Sequence, residues 1–381
     1  MDNFKYYNPT KIIFGKNTIG QIGREISKYG LKKVLLLAGG GSIKTNSVYE
    51  TTINSLKQYN IEWIESWGVI PNPVLSHSEK SLQILRDFGA EAVLAVGGGS
   101  VIDEAKAICA GYFKNQIWSL FDGTDDRLTQ ALPLFVIQTL SATGSEMNSY
   151  AVLTNDKTQQ KWDFGSPFTF PKVSIIDPYV QMSLPWRQTV NGAVDSLSHV
   201  MENYFGGIDQ EITLSINEAI MKTIIQAIDK LQVDKNDYNS RAEFAWSSSL
   251  ALSGLTSVSM QGGEWVVHRI GHAISALFPK VAHAESLSVL FPAWIKYVSQ
   301  LKPEIFERWA KNIWQQESID LGIIEFQSKL RQWKAPISLA DLNIDEESII
   351  PIAKNSIELG PIGNIKSINY EDMVNILKLS L

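Results

Sequence analysis

Residues 92–112 read AVLAVGGGSVIDEAKAICAGY, and this stretch decides the fold. Its first five residues are a continuous apolar run, which is typical of a strand buried on both faces of a parallel sheet. Three glycines and Ser100 follow, and the next residues have the pattern of a helix. Glycines let the backbone approach a ligand closely, and a helix N-terminus offers N–H groups to a phosphate. The stretch predicts a strand, a phosphate-binding loop and a helix, although a tight turn without a ligand has the same composition.

A second glycine-rich loop, GGGSIK at residues 39–44, follows another apolar run at residues 34–38. Neither loop has the G-x-G-x-x-G or the Walker spacing. Two such loops on one sheet favour a nucleotide that bridges them. An acid at the end of an early strand binds the ribose hydroxyl and disfavours a 2′-phosphate, whereas glycines, Ser42 and Lys44 stand here. This composition mildly favours NADP(H) as the cofactor, with NAD(H) as the alternative, unless Lys44 is an ordinary solvated lysine.

Short β-branched runs alternate with amphipathic segments in the N-terminal half of the chain. The strand candidates are KIIF, residues 34–38, IEWIESW, residues 92–96, residues 134–139 and VSIID. From Leu184 onward, helical periodicity replaces the strand pattern. We therefore predict an α/β dinucleotide-binding domain with a Rossmann-like parallel sheet over residues 1–183, and an all-α metal-binding domain over residues 184–381.

Four of the five histidines lie between residues 199 and 283. Asp195 and His199 are four residues apart, as are His268 and His272, so a helix would stack each pair on one face. His283 follows at the end of the next loop. Three imidazoles and a carboxylate form a ligand set for zinc or ferrous iron. The pattern predicts a metal site, although scattered core or solvated histidines are the alternative.

Composition excludes several classes of protein. The net charge is −6 and no Lys/Arg run is present, so nothing attracts nucleic acid or an anionic membrane. No apolar stretch approaches the length of a membrane span, and the first residues lack the pattern of a signal peptide. The single cysteine, Cys109, excludes a disulfide within the chain. We expect a cytoplasmic protein with no nucleic-acid or membrane partner.

With both patterns assembled, the chain resembles the iron-containing (group III) alcohol dehydrogenases. The resemblance is greatest to the branch of NADPH-dependent aldehyde reductases and butanol dehydrogenases. It rests on segments that follow one another in the family's order. These are GGGSIK at 39–44, PNP at 71–73, GGGSVIDEAK at 97–106, TLSATGSEMN at 139–148, LPWRQTVNGAVDSLSH at 184–199 and EWVVHRIGHAI at 264–274.

The resemblance implies a two-domain fold like that of dehydroquinate synthase and a small aldehyde or alcohol as substrate. It implies Asp195, His199, His268 and His283 as ligands of one divalent metal, Fe²⁺ or Zn²⁺. His272 would assist proton transfer beside the metal, and a homodimer is the family's usual assembly.

The resemblance also implies a set of cofactor contacts. They are Gly39, Gly40, Gly41, Ser42, Asn72, Gly97, Gly98, Gly99, Ser100, Asp103, Thr139, Thr143, Asn148 and Lys161.

Three other classes of protein share part of the pattern. A zinc hydrolase needs a Glu directly after the first His, but the sequence here is HRIGH. A lyase related to dehydroquinate synthase uses a different ligand set. A binding module without catalysis has no need of both glycine loops and a metal site.

Overall fold

The structure is a computed structural model that describes residues 1–125, 127–207, 209–260 and 262–381. In it the chain forms two compact units. The β/α unit comprises Tyr7–Leu184 and Lys235–Ser249. The helical unit comprises Met1–Tyr6, Pro185–Asp234 and Leu250–Leu381.

Continuous apolar runs form the central strands β2, β4 and β5 of the eight strands in the β/α unit. The strands are β1 (Lys11–Phe14), β2 (Lys33–Ala38), β3 (Glu62–Trp67), β4 (Ala92–Gly97), β5 (Leu134–Gln138), β6 (Tyr150–Asn155), β7 (Gln160–Gly165) and β8 (Val173–Ile176). Among the described residues, six of them form a parallel sheet in the order β1-β8-β5-β4-β2-β3. Residues 34–38 and 92–96 have no exposed surface, as expected for central parallel strands. The predicted parallel sheet is confirmed.

Helices connect these strands. They are α1 (Ile22–Ser27), α2 (Val48–Gln58), α3 (Leu75–Phe88) and α4 (Gly99–Gly111). On α3, Leu82 and Leu85 are buried, and the helix ends at Gly89, whose φ of 70° suits a glycine cap. Cys109 is buried on α4. A later helix, α7 (Tyr238–Ala251), supplies most of the second segment of this unit.

The structure contains a hairpin of β6 and β7 that the sequence did not predict. The two strands pair antiparallel, with Leu153 opposite Trp162. Their connection, residues 156–159, lacks the Asn-Gly or Asp-Gly pair that marks a short hairpin, and Gln159 takes the positive φ instead. Ala151, Leu153 and Phe164 are buried in the core under this hairpin.

Helices account for the described structure of the second half. They are α5 (Trp186–Phe205), α6 (Glu211–Val233), α8 (Val266–Leu277), α9 (His283–Val298), α10 (Pro303–Trp314), α11 (Ile319–Trp333), α12 (Ile349–Ser356) and α13 (Tyr370–Lys378). Buried aromatic rings fill the core between them, and the Phe205 and Phe306 rings stack with centroids 4.4 Å apart. The predicted fold class, a parallel α/β half followed by a helical half, is confirmed. In the described ranges, no helix is both long enough and apolar enough to cross a membrane.

Candidate functional site

Two helices and the start of a third carry the predicted metal ligands. Asp195 and His199 lie one turn apart on α5, and His268 and His272 lie one turn apart on α8. His283 is the first residue of α9. The spacing of four residues therefore produces the stacking that the sequence predicts.

The structure brings the four predicted ligands together. One ligand atom from each of Asp195, His199 and His268 lies within 4.8 Å of the others. His283 Nε2 lies 3.9 Å from Asp195 Oδ1, and the His268 and His283 ring centroids are 5.5 Å apart. Ligands bound at about 2.1 Å from one ion are at most about 4.2 Å apart, so a small inward movement of these side chains would enclose a cation.

The electrostatics of the cluster fit a metal ion. Asp195, His199 and His268 are each at most 6% exposed, so water does not screen them. Burial lowers the pKa of His199 to about 4, and its imidazole is therefore neutral at physiological pH. A neutral imidazole is the form that binds a metal, and a buried carboxylate beside it calls for a cation. Their role as ligands stays a prediction.

A further buried side chain beside the cluster, Glu202 on α5, was not predicted. Its Oε1 accepts hydrogen bonds from His268 Nδ1 at 2.9 Å and from the His268 backbone N–H at 3.1 Å. Since Nδ1 is engaged in this way, the nitrogen that His268 offers to a metal is Nε2. Burial raises the pKa of Glu202 to about 8. Its spacing from Asp195 and His199, seven and three residues, is the signal by which it could have been found.

Trp265 lies beside the cluster in a strained conformation. It precedes α8 with φ +56°, which is rare for a bulky side chain. Its Nε1–H donates to the Gly262 carbonyl at 2.6 Å, and its ring centroid is 5.4 Å from that of His268. The indole therefore lines one side of the histidine cluster.

His272 lies next to the cluster rather than within it. Its ring centroid is 5.1 Å from that of His283, and its side chain is half-buried. It is therefore placed near the expected ligands, where a proton carrier would be needed.

In the β/α unit, the two glycine loops leave from neighbouring strands. β2 and β4 pair in parallel with Ala38 opposite Val96, so residues 39–44 and 97–100 begin at the same edge of the sheet. From β2 the chain continues to β3 on one side, and from β4 to β5 on the other. The loops thus flank the point where the strand order reverses, which is where open α/β sheets bind ligands.

The glycines at the start of α4 are required by close packing. A Cβ on Gly97 would lie 2.5 Å from Val101 Cγ2, and one on Gly99 would lie 2.4 Å from Thr143 Cγ2. A Cβ on Gly98 would be 3.2 Å from Leu140 Cβ. Neighbouring side chains therefore leave no room for a side chain at these three positions. Such a backbone is suited to a loop that presents N–H groups to a ligand.

The loop at residues 139–148 lies against this turn. The Thr139 N–H donates to the Gly97 carbonyl at 3.0 Å, and Ser145 Oγ donates to Asp103 Oδ1 at 2.6 Å. Asp103 is partly buried, and Asn148 is buried. These predicted cofactor contacts are neighbours.

Other predicted contacts lie elsewhere in the β/α unit. Lys161 Nζ on β7 donates to Asn72 Oδ1 at 2.8 Å, and Asn72 has φ +57°. After β2, Gly41 has φ +103° and Lys44 Nζ lies 3.9 Å above the centroid of the Trp67 ring. Lys44 is exposed, and its ammonium group makes a cation–π contact with this aromatic face.

Two family models together match most of the chain. The model described as iron-containing alcohol dehydrogenase matches residues 9–178. The model described as the C-terminal part of the Fe-containing alcohol dehydrogenase family matches residues 189–381.

Individual relatives match over their full length or nearly so. A probable NADH-dependent butanol dehydrogenase from Bacillus subtilis is 37% identical over 391 aligned residues, with 100% of both chains covered. An NADPH-dependent aldehyde reductase from Escherichia coli is 31% identical, with 94% of each chain covered. The crystal structure of an NADH-dependent butanol dehydrogenase A from Thermotoga maritima superposes with a TM-score of 0.98 at 46% identity, covering 100% of this chain and 99% of that one.

Proposed function

The chain belongs to the iron-containing alcohol dehydrogenase family, and we propose that it interconverts primary alcohols and aldehydes with a nicotinamide cofactor and one divalent metal ion. The observation that carries the proposal is the buried cluster of Asp195, His199 and His268, whose ligand atoms lie within 4.8 Å of one another. The names of the relatives, butanol dehydrogenase and aldehyde reductase, support the same reaction.

We assign Asp195, His199, His268 and His283 as the metal ligands. When bound, the metal acts as a Lewis acid on the oxygen of the alcohol or aldehyde. His199 is neutral before binding because burial lowers its pKa, and Glu202 fixes the ring of His268. Three imidazoles and one carboxylate suit Fe²⁺ and Zn²⁺ alike, and the family's name favours iron.

We assign the cofactor to the glycine loops of the β/α unit. The nicotinamide ring exchanges a hydride with the substrate carbon. Gly97, Gly98 and Gly99 pack closely against Val101, Leu140 and Thr143 at the start of α4, and the N-terminus of this helix favours the negative charge of a pyrophosphate. Substrate and cofactor must be held within reacting distance for this transfer, which is the protein's share of the chemistry.

We assign His272 to the transfer of the proton. Oxidation of an alcohol releases one proton from the hydroxyl group, and reduction of an aldehyde consumes one. A half-buried imidazole next to the ligand cluster is a group that can accept and release that proton. Orienting a ligand is the other role open to it.

The preferred cofactor is proposed to be NADP(H), with NAD(H) as the alternative. β2 ends at Ala38 and is followed by glycines, so no carboxylate stands there to repel a 2′-phosphate. The names of the Bacillus and Thermotoga relatives favour NADH, and that of the Escherichia relative favours NADPH. The ratio of kcat/KM for the two reduced cofactors decides between them, and a clear preference for NADH would overturn the proposal.

A carboxylate introduced after β2 tests the reason for that preference. Gly39→Asp should shift the ratio toward NADH, because the new charge repels a 2′-phosphate. Its Cβ would lie 3.3 Å from the Val69 carbonyl oxygen, whereas a Cβ on Gly40 has open space. Gly40→Asp is therefore the variant that introduces the charge without crowding.

The experiment that tests the reaction combines metal analysis with a substrate screen. Purified protein should contain about one divalent metal per chain, and it should oxidise NADPH or NADH when aldehydes are added. His268→Ala should lose both metal and turnover. His77→Ala is the matched control, since His77 also pairs with a buried glutamate, Glu104 at 2.6 Å, but lies outside the cluster. An absence of aldehyde-dependent oxidation by the wild type with any added divalent metal would refute the proposal.

Assembly and location complete the proposal. We propose a homodimer that acts on small aldehydes and alcohols in the cytoplasm. Light scattering measures the mass of the purified protein in solution, and the mass of a monomer would contradict the proposed homodimer.

A further inference from the structure

Lys106 on α4 is a fully buried cation. It is 0% exposed, and its ammonium group donates three hydrogen bonds. The acceptors are Ser145 Oγ at 2.7 Å, Asn148 Oδ1 at 2.9 Å and the Tyr150 carbonyl at 2.6 Å. An ammonium group has three N–H donors, so each is used. Because a buried charge costs stability unless it is paired, such a residue requires an explanation.

Two carboxylates compensate the charge. Asp103 lies one turn earlier on α4 and reaches Lys106 through Ser145, whose Oγ accepts from Lys106 and donates to Asp103 Oδ1 at 2.6 Å. Glu146 follows Ser145 in the loop and is 1% exposed, and its charge raises the pKa of Lys106 against the effect of burial. Burial lowers the pKa of Lys106 to about 8, and the side chain therefore keeps its charge at neutral pH.

The cation also fixes the direction of an amide. Lys106 can only donate, so Asn148 must turn its Oδ1 toward it, and the Tyr150 N–H donates to the same oxygen at 2.9 Å. Asn148 Nδ2 then lies on the opposite side, 3.5 Å from the Thr143 carbonyl. Thr143 in turn occupies the space where a Cβ on Gly99 would stand. Lys106 thus holds the loop at residues 139–148 against the first turn of α4.

We infer that Lys106 is a positioning residue for cofactor binding, since it holds the loop at residues 139–148 and the first turn of α4 as one preformed surface. The inference rests on the proposed function, in which that turn receives the pyrophosphate. Lys106 does not itself touch the cofactor. Preformed surfaces bind more tightly because less ordering is left to the moment of binding.

The test is the replacement Lys106→Met, which keeps the length of the side chain and removes its charge and donors. Cofactor affinity is measured by fluorescence titration of the metal-loaded enzyme with NADPH and NADH. We expect the dissociation constant to rise about tenfold or more, as for the loss of a hydrogen bond to a charged group. Metal content and the KM for aldehyde at saturating cofactor should stay unchanged. A purely structural role would lower the melting temperature without this split.

Ser174→Ala is the matched control. Ser174 is 0% exposed, and its Oγ donates to the Glu146 carbonyl at 2.6 Å without touching Lys106. It should lower stability and leave the cofactor dissociation constant as in the wild type. Ser145→Ala is the second variant, for the case that Lys106→Met does not fold. It breaks the link from Lys106 to Asp103 and should weaken cofactor binding about threefold or more, a smaller loss because Lys106 keeps its bonds to Asn148 and Tyr150.

The outcomes separate this inference from the proposed reaction. Wild-type cofactor affinity in a folded Lys106→Met variant overturns the inference alone. If that variant does not fold, wild-type affinity in Ser145→Ala overturns it, as does an equal loss of affinity in Ser174→Ala. A wild type that binds the cofactor but reduces no aldehyde overturns the proposed reaction alone, because the titration requires no turnover. A wild type that binds neither cofactor overturns both.

Discussion

Replacing Glu202 with glutamine should weaken metal binding without removing a ligand. Glu202 is 0% exposed, and its Oε1 accepts from both His268 Nδ1 and the His268 backbone N–H. Glutamine has nearly the same shape and can still accept one of these bonds. The change therefore replaces the carboxyl group behind the imidazole while the four proposed ligands stay in place.

The expected size of the effect follows from this geometry. A carboxylate that hydrogen-bonds the far nitrogen of a metal-bound histidine contributes roughly 10- to 100-fold to metal affinity. That factor corresponds to about 1.4–2.7 kcal/mol of binding free energy. The histidine is a better ligand when a carboxylate both orients its ring and raises the basicity of its other nitrogen.

The assay is a competition between the protein and a chelator of known affinity, read as metal content after equilibration. Glu218→Gln is the control, because Glu218 is also buried but accepts from Tyr204 Oη at 2.9 Å and Arg308 Nε at 2.6 Å instead of a histidine. It should lower the melting temperature and leave metal affinity unchanged. Wild-type metal affinity in Glu202→Gln, or an equal loss in Glu218→Gln, would refute the reasoning.

Three further predictions concern other parts of the molecule. His272→Ala should lower kcat on the order of 100-fold and change its pH dependence, with metal and cofactor still bound; an unchanged pH profile would exclude a proton-transfer role. Gly98→Val should raise the cofactor dissociation constant at least about tenfold, because its side chain would crowd Leu140, and equal affinity would remove the glycine loop from the cofactor site. Burial raises the pKa of Glu25, but hydrogen bonds from Lys11 and Lys28 bring the pKa below its usual 4.5. The ion pairs of Glu25 therefore stabilise the fold above pH 4.5, and this stabilisation is lost as the pH falls through the lowered pKa. Glu25→Gln should accordingly flatten the fall in melting temperature below about pH 4.5, and an unaltered acid profile would contradict this.

Local sequence pattern predicts those features that depend on neighbouring residues. The apolar runs that form β2 and β4 are buried on both faces, which is what a continuous apolar run predicts. The paired spacing of Asp195 with His199 and of His268 with His272 records the helical turn in the same way. Each of these features could be predicted because its periodicity lies within one element.

Contacts between residues far apart in the sequence produce no local sequence pattern that would predict them. Glu202 and His268 are 66 residues apart, and Lys106 and Asn148 are 42 apart, so no periodicity connects them. The β6–β7 hairpin was missed for a different reason, since its turn uses Gln159 where a glycine or asparagine is the usual signal.

The β/α unit is made from two segments of the chain, and this affects how the unit folds during synthesis. Its sheet ends with β8, but its last segment, Lys235–Ser249, is complete only 65 residues after Leu184. At roughly 5–20 residues per second, the ribosome needs several seconds to reach it. During that time Glu146 has no Ser249 to bond, and Phe14 has no Trp246 against its ring. The β/α unit is therefore not finished before α5 and α6 of the helical unit have been made, and a gene divided after Leu184 would encode an incomplete half.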